Sequence, residues 1–258
     1  MPIDRTKTTF WFDGVSSEDL GIVVMGFPTF NGAEPKVTKY SIPGRNGDLT
    51  YWDGSYKNVN AELKCFVIDA EKVEAALTAV NNWMADCGYR KFVISSELGR
   101  YRMARITNAA EIAITMGVLA PFTIKLDCKP QRFYEDDEME SFGLSGVIHN
   151  QTKFTAKPLL HCLWATGAGK AGTEEIKFIN SDGEHRLLLH AIKTTPEWVD
   201  IDLESRSAIT SKGENVSLYF ESNYLQLPPG DTSFTLSNSL TGTNWFSGVE
   251  ILPRWWTL

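Results

Sequence analysis

Tyr40-Ser41-Ile42-Pro43-Gly44-Arg45-Asn46-Gly47-Asp48-Leu49, with Tyr56-Lys57-Asn58 close behind, is rigid turn chemistry set between strand-like segments. Pro43 fixes one φ angle, Gly44 and Gly47 are free to take positive φ, and Asn46-Gly47 is a strong short-range signal for a hairpin reversal. No catalytic group stands beside the turn. Pro43, Gly44, Arg45, Asn46 and Gly47 are therefore read as an architectural site.

Outward from this turn the chain alternates apolar and polar residues over short spans bounded by Gly, Pro, Asn and Asp, the period-two pattern of half-buried strands. The pattern predicts strands at Val59 to Ile68, Lys91 to Ile94, Tyr101 to Thr107 and Phe122 to Lys129. Further strands are expected at Leu159 to Trp164, Glu175 to Ile179, Arg186 to His190, Trp198 to Leu203, Ser217 to Phe220, Ser233 to Leu236 and Gly248 to Leu252. Such close spacing implies a mainly β chain built as sandwiches or a barrel, not as βαβ units. One helix is expected from about Ala70 to Asp86, with Asp69 as N-cap and Gly88 past its end. Val73, Ala76, Leu77, Val80, Trp83 and Met84 form its apolar stripe, which should cover a sheet.

The sharpest composition shift is Glu135-Asp136-Asp137-Glu138-Met139-Glu140, following Lys129-Pro130, where the proline is expected to end a strand. It reads as a solvated linker between domains at 1–134 and 141–258, and it lacks the spacing of a calcium loop. The 258 residues carry a formal net charge of -7, which argues against a nucleic-acid surface. No apolar run approaches the roughly 20 residues that cross a bilayer, and residues 1–9 lack a signal-peptide core, so synthesis in a cytoplasm is expected. Cys65, Cys87, Cys128 and Cys162 lie far apart and read as buried thiols. Asn150-Gln151-Thr152 and Asn215-Val216-Ser217 match the glycosylation pattern by chance in such a protein.

Several motifs tempt toward chemistry. Gly167-Ala168-Gly169-Lys170-Ala171-Gly172 fits G-x-G-x-x-G, yet Glu174 to Asn180 alternates like a strand where a nucleotide site needs a helix N-terminus. His149, His161, His185 and His190 show no metal-ligand spacing, and no G-x-S-x-G elbow occurs. Asp200, Asp202 and Glu204 share a strand face by alternation and read as an exposed face, not as a glycosidase pair. The tryptophans Trp11, Trp52, Trp83, Trp164, Trp198, Trp245, Trp255 and Trp256 are scattered and point mostly to core. Trp255-Trp256, being strand neighbours, leaves one ring for a partner subunit. No catalytic residue, cofactor or metal is assigned.

Phe10-Trp11-Phe12-Asp13-Gly14-Val15-Ser16-Ser17-Glu18-Asp19-Leu20-Gly21-Ile22, taken with the Pro43 to Gly47 turn, resembles the distal tail proteins (Dit) of long-tailed, non-contractile bacteriophages. Phe92 to Leu98 with Tyr101 to Ile106 is similar to the family's post-helix hairpin, and Pro121 to Pro130 to the strand ending its first domain. Pro158-Leu159-Leu160, Trp198 to Asp202 and Leu225 to Gly230 are similar to parts of its galectin-like sandwich. The resemblance spans nearly the whole chain. It implies a ring-forming N-terminal β-sandwich or barrel-like domain with one helix, and a C-terminal galectin-like β-sandwich. It further implies a non-enzymatic hexameric hub at the distal end of a virion tail, part of the baseplate and of host attachment. The implied partners are other copies of the chain, the tail-tube protein, the tail-tip or tail-associated lysin protein and a receptor-binding protein, with no nucleic acid or membrane. The alternative is a carbohydrate-binding module recognising host cell-wall glycan.

Overall fold

In Val59–Val67 every second side chain, Val59, Ala61, Leu63, Cys65 and Val67, is buried while Asn60, Glu62 and Lys64 face out. Successive Cβ atoms of a strand point to opposite faces, so this alternation puts one face of a sheet on a core. The computed structural model describes residues 8–109, 114–115, 118–119, 121–165, 173–190, 195–220, 225–238 and 245–258. Two compact units divide the chain, residues 1–135 with Leu258 and residues 136–257.

The first unit contains strands β1 (Phe10–Phe12), β2 (Val15–Ser16), β3 (Ile22–Val24), β4 (Pro35–Tyr40), β5 (Leu49–Tyr56) and β6 (Val59–Val67). Helix α1 (Val73–Ala85) follows, then β7 (Arg90–Ile94), β8 (Arg100–Ile106), β9 (Ile114–Thr115), β10 (Val118–Leu119) and β11 (Phe122–Tyr134). Its main sheet runs β2-β1-β7-β8-β11-β6-β3 with antiparallel neighbours, and β4 with β5 forms a separate two-stranded sheet.

One face of the main sheet packs under α1. Val73, Ala76 and Val80 are buried in the same cluster as Phe10, Phe12, Leu63, Phe92, Ile124 and Leu126, and Leu77, Trp83 and Met84 lie partly buried against it. The Trp83 ring sits 5.2 Å from Phe12 and 6.4 Å from Phe10, so the expected stripe meets the sheet. The helix starts later than its sequence signals suggest. Ala70–Lys72 is a 3-10 turn, and Asp69 Oδ1 accepts the Glu71 N–H at 3.0 Å, so the aspartate caps that turn and Lys72 occupies the N-cap of α1.

Pro130 does not end its strand. β11 runs on to Tyr134 because its pairing with β8 shifts register between Cys128 and Arg132, and a bulge removes the need for a proline N–H in the ladder.

The second unit contains β12 (Glu140–Phe142), β13 (Ser145–Asn150), β14 (Leu159–Trp164), β15 (Thr173–Asn180) and β16 (Gly183–His190). After these come β17 (Trp198–Asp202), β18 (Ser207–Thr210), β19 (Ser217–Phe220), β20 (Gly230–Asn238) and β21 (Phe246–Leu252). They form two five-stranded antiparallel sheets, β12-β21-β14-β17-β18 and β13-β20-β15-β16-β19. Leu160, Cys162, Val199, Ile201, Val249 and Ile251 of the first sheet share one core with Ile148, Ile176, Phe178, Leu187, Leu189, Phe234 and Leu236 of the second. The chain is thus mainly β, with α1 the α-helix among the described residues.

Two sequence expectations need correction here. The acidic run is not wholly solvated: Asp137 is half-buried because its Oδ2 accepts the Trp255 N–H at 2.6 Å, and Glu140 opens β12 opposite Ile251. Nor are all four thiols buried. Cys65, Cys128 and Cys162 are, but Cys87 lies just past the end of α1 and is exposed.

Candidate contact surface

The quoted turn sits at the end of a projecting arm made by β4 and β5, whose residues are almost all exposed. Across its rungs Val37 faces Trp52, Thr38 faces Tyr51, Lys39 faces Thr50 and Tyr40 faces Leu49. Alternation therefore divides the arm into two faces. One carries Pro35, Val37, Trp52 and Tyr56, with the Trp52 and Tyr56 rings edge-on at 5.4 Å. Tyr40, Leu49 and Tyr51 occupy the other. Tyr51 is 60% and Trp52 47% exposed, and Val37, Tyr40, Ile42 and Leu49 are also open to solvent.

The loop between the strands is held by backbone chemistry. Arg45 donates its N–H to the Ile42 carbonyl at 3.1 Å, with Pro43 and Gly44 as the two central residues. Gly44 has φ +80°, so this is a type II turn, which needs proline-like φ at the first centre and glycine at the second. Gly47 also has positive φ, but Tyr40 and Leu49 are the last paired residues, so Asn46-Gly47 is a bend within a longer loop and not a two-residue hairpin. Toward the base of the arm, the register shifts between Pro35 and Val37. Ser55 N–H and Oγ–H both go to Asp53 Oδ1, at 2.9 and 2.5 Å, and Trp52 Nε1–H goes to the Ser55 carbonyl at 2.7 Å. These bonds lock the bulge and fix the indole.

At the arm's base, Tyr56-Lys57-Asn58 passes into β6. Lys57 Nζ lies 3.0 Å from Glu34 Oε2, and Lys57 N–H bonds the Glu34 carbonyl at 2.8 Å. Asn58 donates to Asp127 Oδ1 and to Tyr89 Oη, both at 2.7 Å, and Asp127 Oδ2 also takes Tyr89 at 2.9 Å and Arg105 Nε at 2.8 Å. Burial raises the Asp127 carboxyl, but the Arg105, Asn58 and Tyr89 hydrogen bonds outweigh it and hold the group below the usual range. A soft apolar arm thus grows from a stiff polar root.

The sheet face opposite α1 carries a second feature, an open recess of about 320 Å³ lined by Trp11, Gly14, Lys91, Val93, Leu98 and Glu135. Trp11 alternates with the core residues Phe10 and Phe12 and faces Val93 directly across β1 and β7.

The other sequence candidates resolve as follows. Residues 167–172, the glycine motif, lie outside the described residues, and the segment after them is strand β15. Asp200 and Asp202 do share the face of β17 turned from the core, but Glu204 lies beyond the strand's end. His161 Nδ1 lies 2.6 Å from Asp200 Oδ1, Arg254 bonds Asp202 at 2.8 and 3.1 Å, and Lys157 pairs Glu204 at 3.1 Å. Trp198 lies beside His161 at 5.1 Å, a juxtaposition that spacing alone did not reveal because it crosses strands. Asn150 is buried and gives its amide to the Phe154 and Leu227 carbonyls, which leaves that nitrogen committed to the fold. The Trp256 ring stacks on Phe154 at 4.4 Å, and both Trp255 and Trp256 pack partly buried against the second unit's core. Trp11, Trp52 and Trp198 are tryptophans that the expectation of a core role misplaced; for Trp52 the clue was Tyr51 beside it, and for Trp11 the flanking Phe10 and Phe12, since neighbours in a strand cannot both face one core.

No family model matches the sequence, and no curated protein matches it significantly. Among solved structures, the SPP1 Dit (gp 19.1) protein, described as a paradigm of the hub adsorption apparatus in phages infecting Gram-positive bacteria, is similar in fold. Its TM-score is 0.64 at 16% sequence identity, and the match covers 95% of this chain and 97% of that one. The fold of this chain is therefore Dit-like over nearly its whole length.

Proposed function

We propose that this chain is a structural protein of a phage tail, with no catalytic role, whose copies close head to tail into a ring at the distal end of the virion tail. Six copies form the hub in this reading, joining the tail tube to the tail-tip and host-adsorption proteins, with the first unit as the ring and the second as a galectin-like sandwich. The observation that carries it is the arm. A two-stranded hairpin on its own is marginal in water, and this one is apolar on both faces. Tyr40, Tyr51 and Trp52 offer on the order of 300 Å² of exposed aromatic-residue surface, taking roughly 200 Å² per fully exposed ring. That is a sizeable share of the ~800 Å² per partner that a specific interface buries. The Dit-like fold over nearly the whole chain supports the same assignment.

Light scattering across a concentration series, with negative-stain imaging at the top of it, tests the reading. Closed rings whose mass rises to a plateau are expected. A strictly monomeric chain at the highest concentration, with no ring on mixing with tail-tube or tail-tip proteins, overturns it.

A second reading, glycan binding by the second unit, draws on Trp198 and His161 side by side on an outward strand face, where an aromatic plane meets hydrogen-bonding groups. Saturable binding on a glycan array by the intact chain would favour it.

A further inference from the structure

A head-to-tail ring requires two different surfaces on each copy, and the arm supplies one. The recess over Trp11 and Val93 has the character of the other. Its floor is apolar, Leu98 at its edge is 49% exposed, and Lys91 Nζ and Glu135 Oε1 pair across its rim at 3.1 Å. That ion pair is itself partly exposed, so either member is free to exchange its partner at little cost. Near the arm's tip, Tyr40, Ile42 and Leu49 are exposed apolar groups, and Arg45 and Asp48 flank Asn46-Gly47 with one charge of each sign.

We infer that the recess on one copy receives the arm tip of the next: Ile42 and its neighbours cover Trp11, Val93 and Leu98, while Arg45 meets Glu135 and Asp48 meets Lys91. The inference rests on the ring reading and adds an address to it. Three observations converge. The recess has room for bulky side chains, and its apolar floor matches the apolar tip. The rim and the tip each carry one charge of each sign, so an exchange of partners on docking pairs all four charges and gives register. The type II turn at Pro43-Gly44 holds the tip in one shape before contact, which lowers the ordering cost of docking.

The test mixes two full-length variants, each in a C87S background so that the exposed native thiol cannot compete. One carries N46C and the other L98C, so a disulfide between them arises only between copies. The expected result is a mixed-variant disulfide dimer on mild oxidation at assembling concentration, absent when either variant is oxidised alone. In parallel, E135K should weaken assembly at least tenfold in concentration, and R45E/E135K should recover most of the loss. Assembly of the wild-type chain without the mixed disulfide, and with E135K neutral or R45E/E135K no better than E135K, overturns the address and leaves the ring intact. A wild-type chain that never assembles overturns both.

Discussion

Tyr40 and Leu49 stand opposite each other in the last rung of the arm, both about half exposed, immediately before the chain leaves its ladder for the loop holding Pro43 and Gly47. Two apolar groups at the end of an unsupported ribbon gain nothing in a monomer and gain most when a neighbour covers them.

The arm therefore gives a protease prediction. Arg45 lies in an exposed loop with few bonds to the rest of the unit, so limited trypsin digestion should cut after Arg45 early in the dilute monomer. The acidic stretch, which reads from sequence as a solvated linker, is better held: Asp137 is hydrogen-bonded and β12 follows at Glu140. At assembling concentration the Arg45 cut should slow sharply. Mass spectrometry of timed digests at two concentrations checks this, and an equal rate at both counts against arm burial.

Truncation in the first unit's core should separate two depths. Leu63 is 0% exposed in the middle of β6, so Leu63→Ala should cost about 2 to 5 kcal/mol. Leu77 of α1 lies partly buried against the same cluster, and Leu77→Ala should fall at or below the low end of that range, about 2 kcal/mol. Denaturant unfolding of both variants measures the difference, and a larger loss for Leu77→Ala would mean that the helix carries more of the core than the sheet does.

The two aspartates that hold residues 254 and 255 should respond to pH in opposite directions. Burial pushes the Asp137 carboxyl up to about 6 despite the Trp255 N–H. The folded state then holds that proton more tightly than the unfolded chain, so this group's contribution is full below its ordinary value near 3.8 and declines as pH rises through about 6. For Asp202, burial raises the carboxyl but the Arg254 guanidinium more than compensates, leaving it below the usual range. Its contribution is present at neutral pH and lost as pH falls through its lowered folded value. Asp137→Asn should raise the melting temperature at pH 7.5 and leave it nearly unchanged at pH 4, whereas Asp202→Asn should lower it at pH 7.5. Calorimetry at the two pH values decides both signs.

Thiol chemistry should divide one against three. Burial pushes the Cys65 and Cys128 thiols up to about 12 and Cys162 higher still, whereas Cys87 is exposed. An aryl disulfide reagent should modify Cys87 rapidly in the native chain and the other three only on unfolding. Fast modification of more than one thiol without denaturant would contradict the burial described for the sheet cores.

Much of this architecture was legible because half-buried strands print their faces in the sequence, as at Val59–Val67 and Trp198–Asp202. Local signals misled where a tertiary device answered them. Pro130 looked like a terminator because the bulge that accommodates it depends on β8, which is distant in sequence. Asp137 looked solvated because its partner, the Trp255 N–H, lies 118 residues away. The turn at Pro43 to Gly47 was visible from the start, but that its flanking strands find no third strand among the described residues is a property of the sheet's edges and leaves no mark in a local window. The recess at Trp11 was hidden for a related reason: Leu98 and Glu135 join it from different turns.

The arm's two apolar faces carry one further consequence. A flat surface can cover only one side of a ribbon, so a single neighbour lying against it would leave either the Trp52 side or the Tyr51 side wet. Full cover needs a slot with two walls. Where those walls come from different molecules, the first to arrive gains little and the second gains most, so intermediates missing one wall stay rare and growth behaves like a latch that shuts only when the last piece is in place.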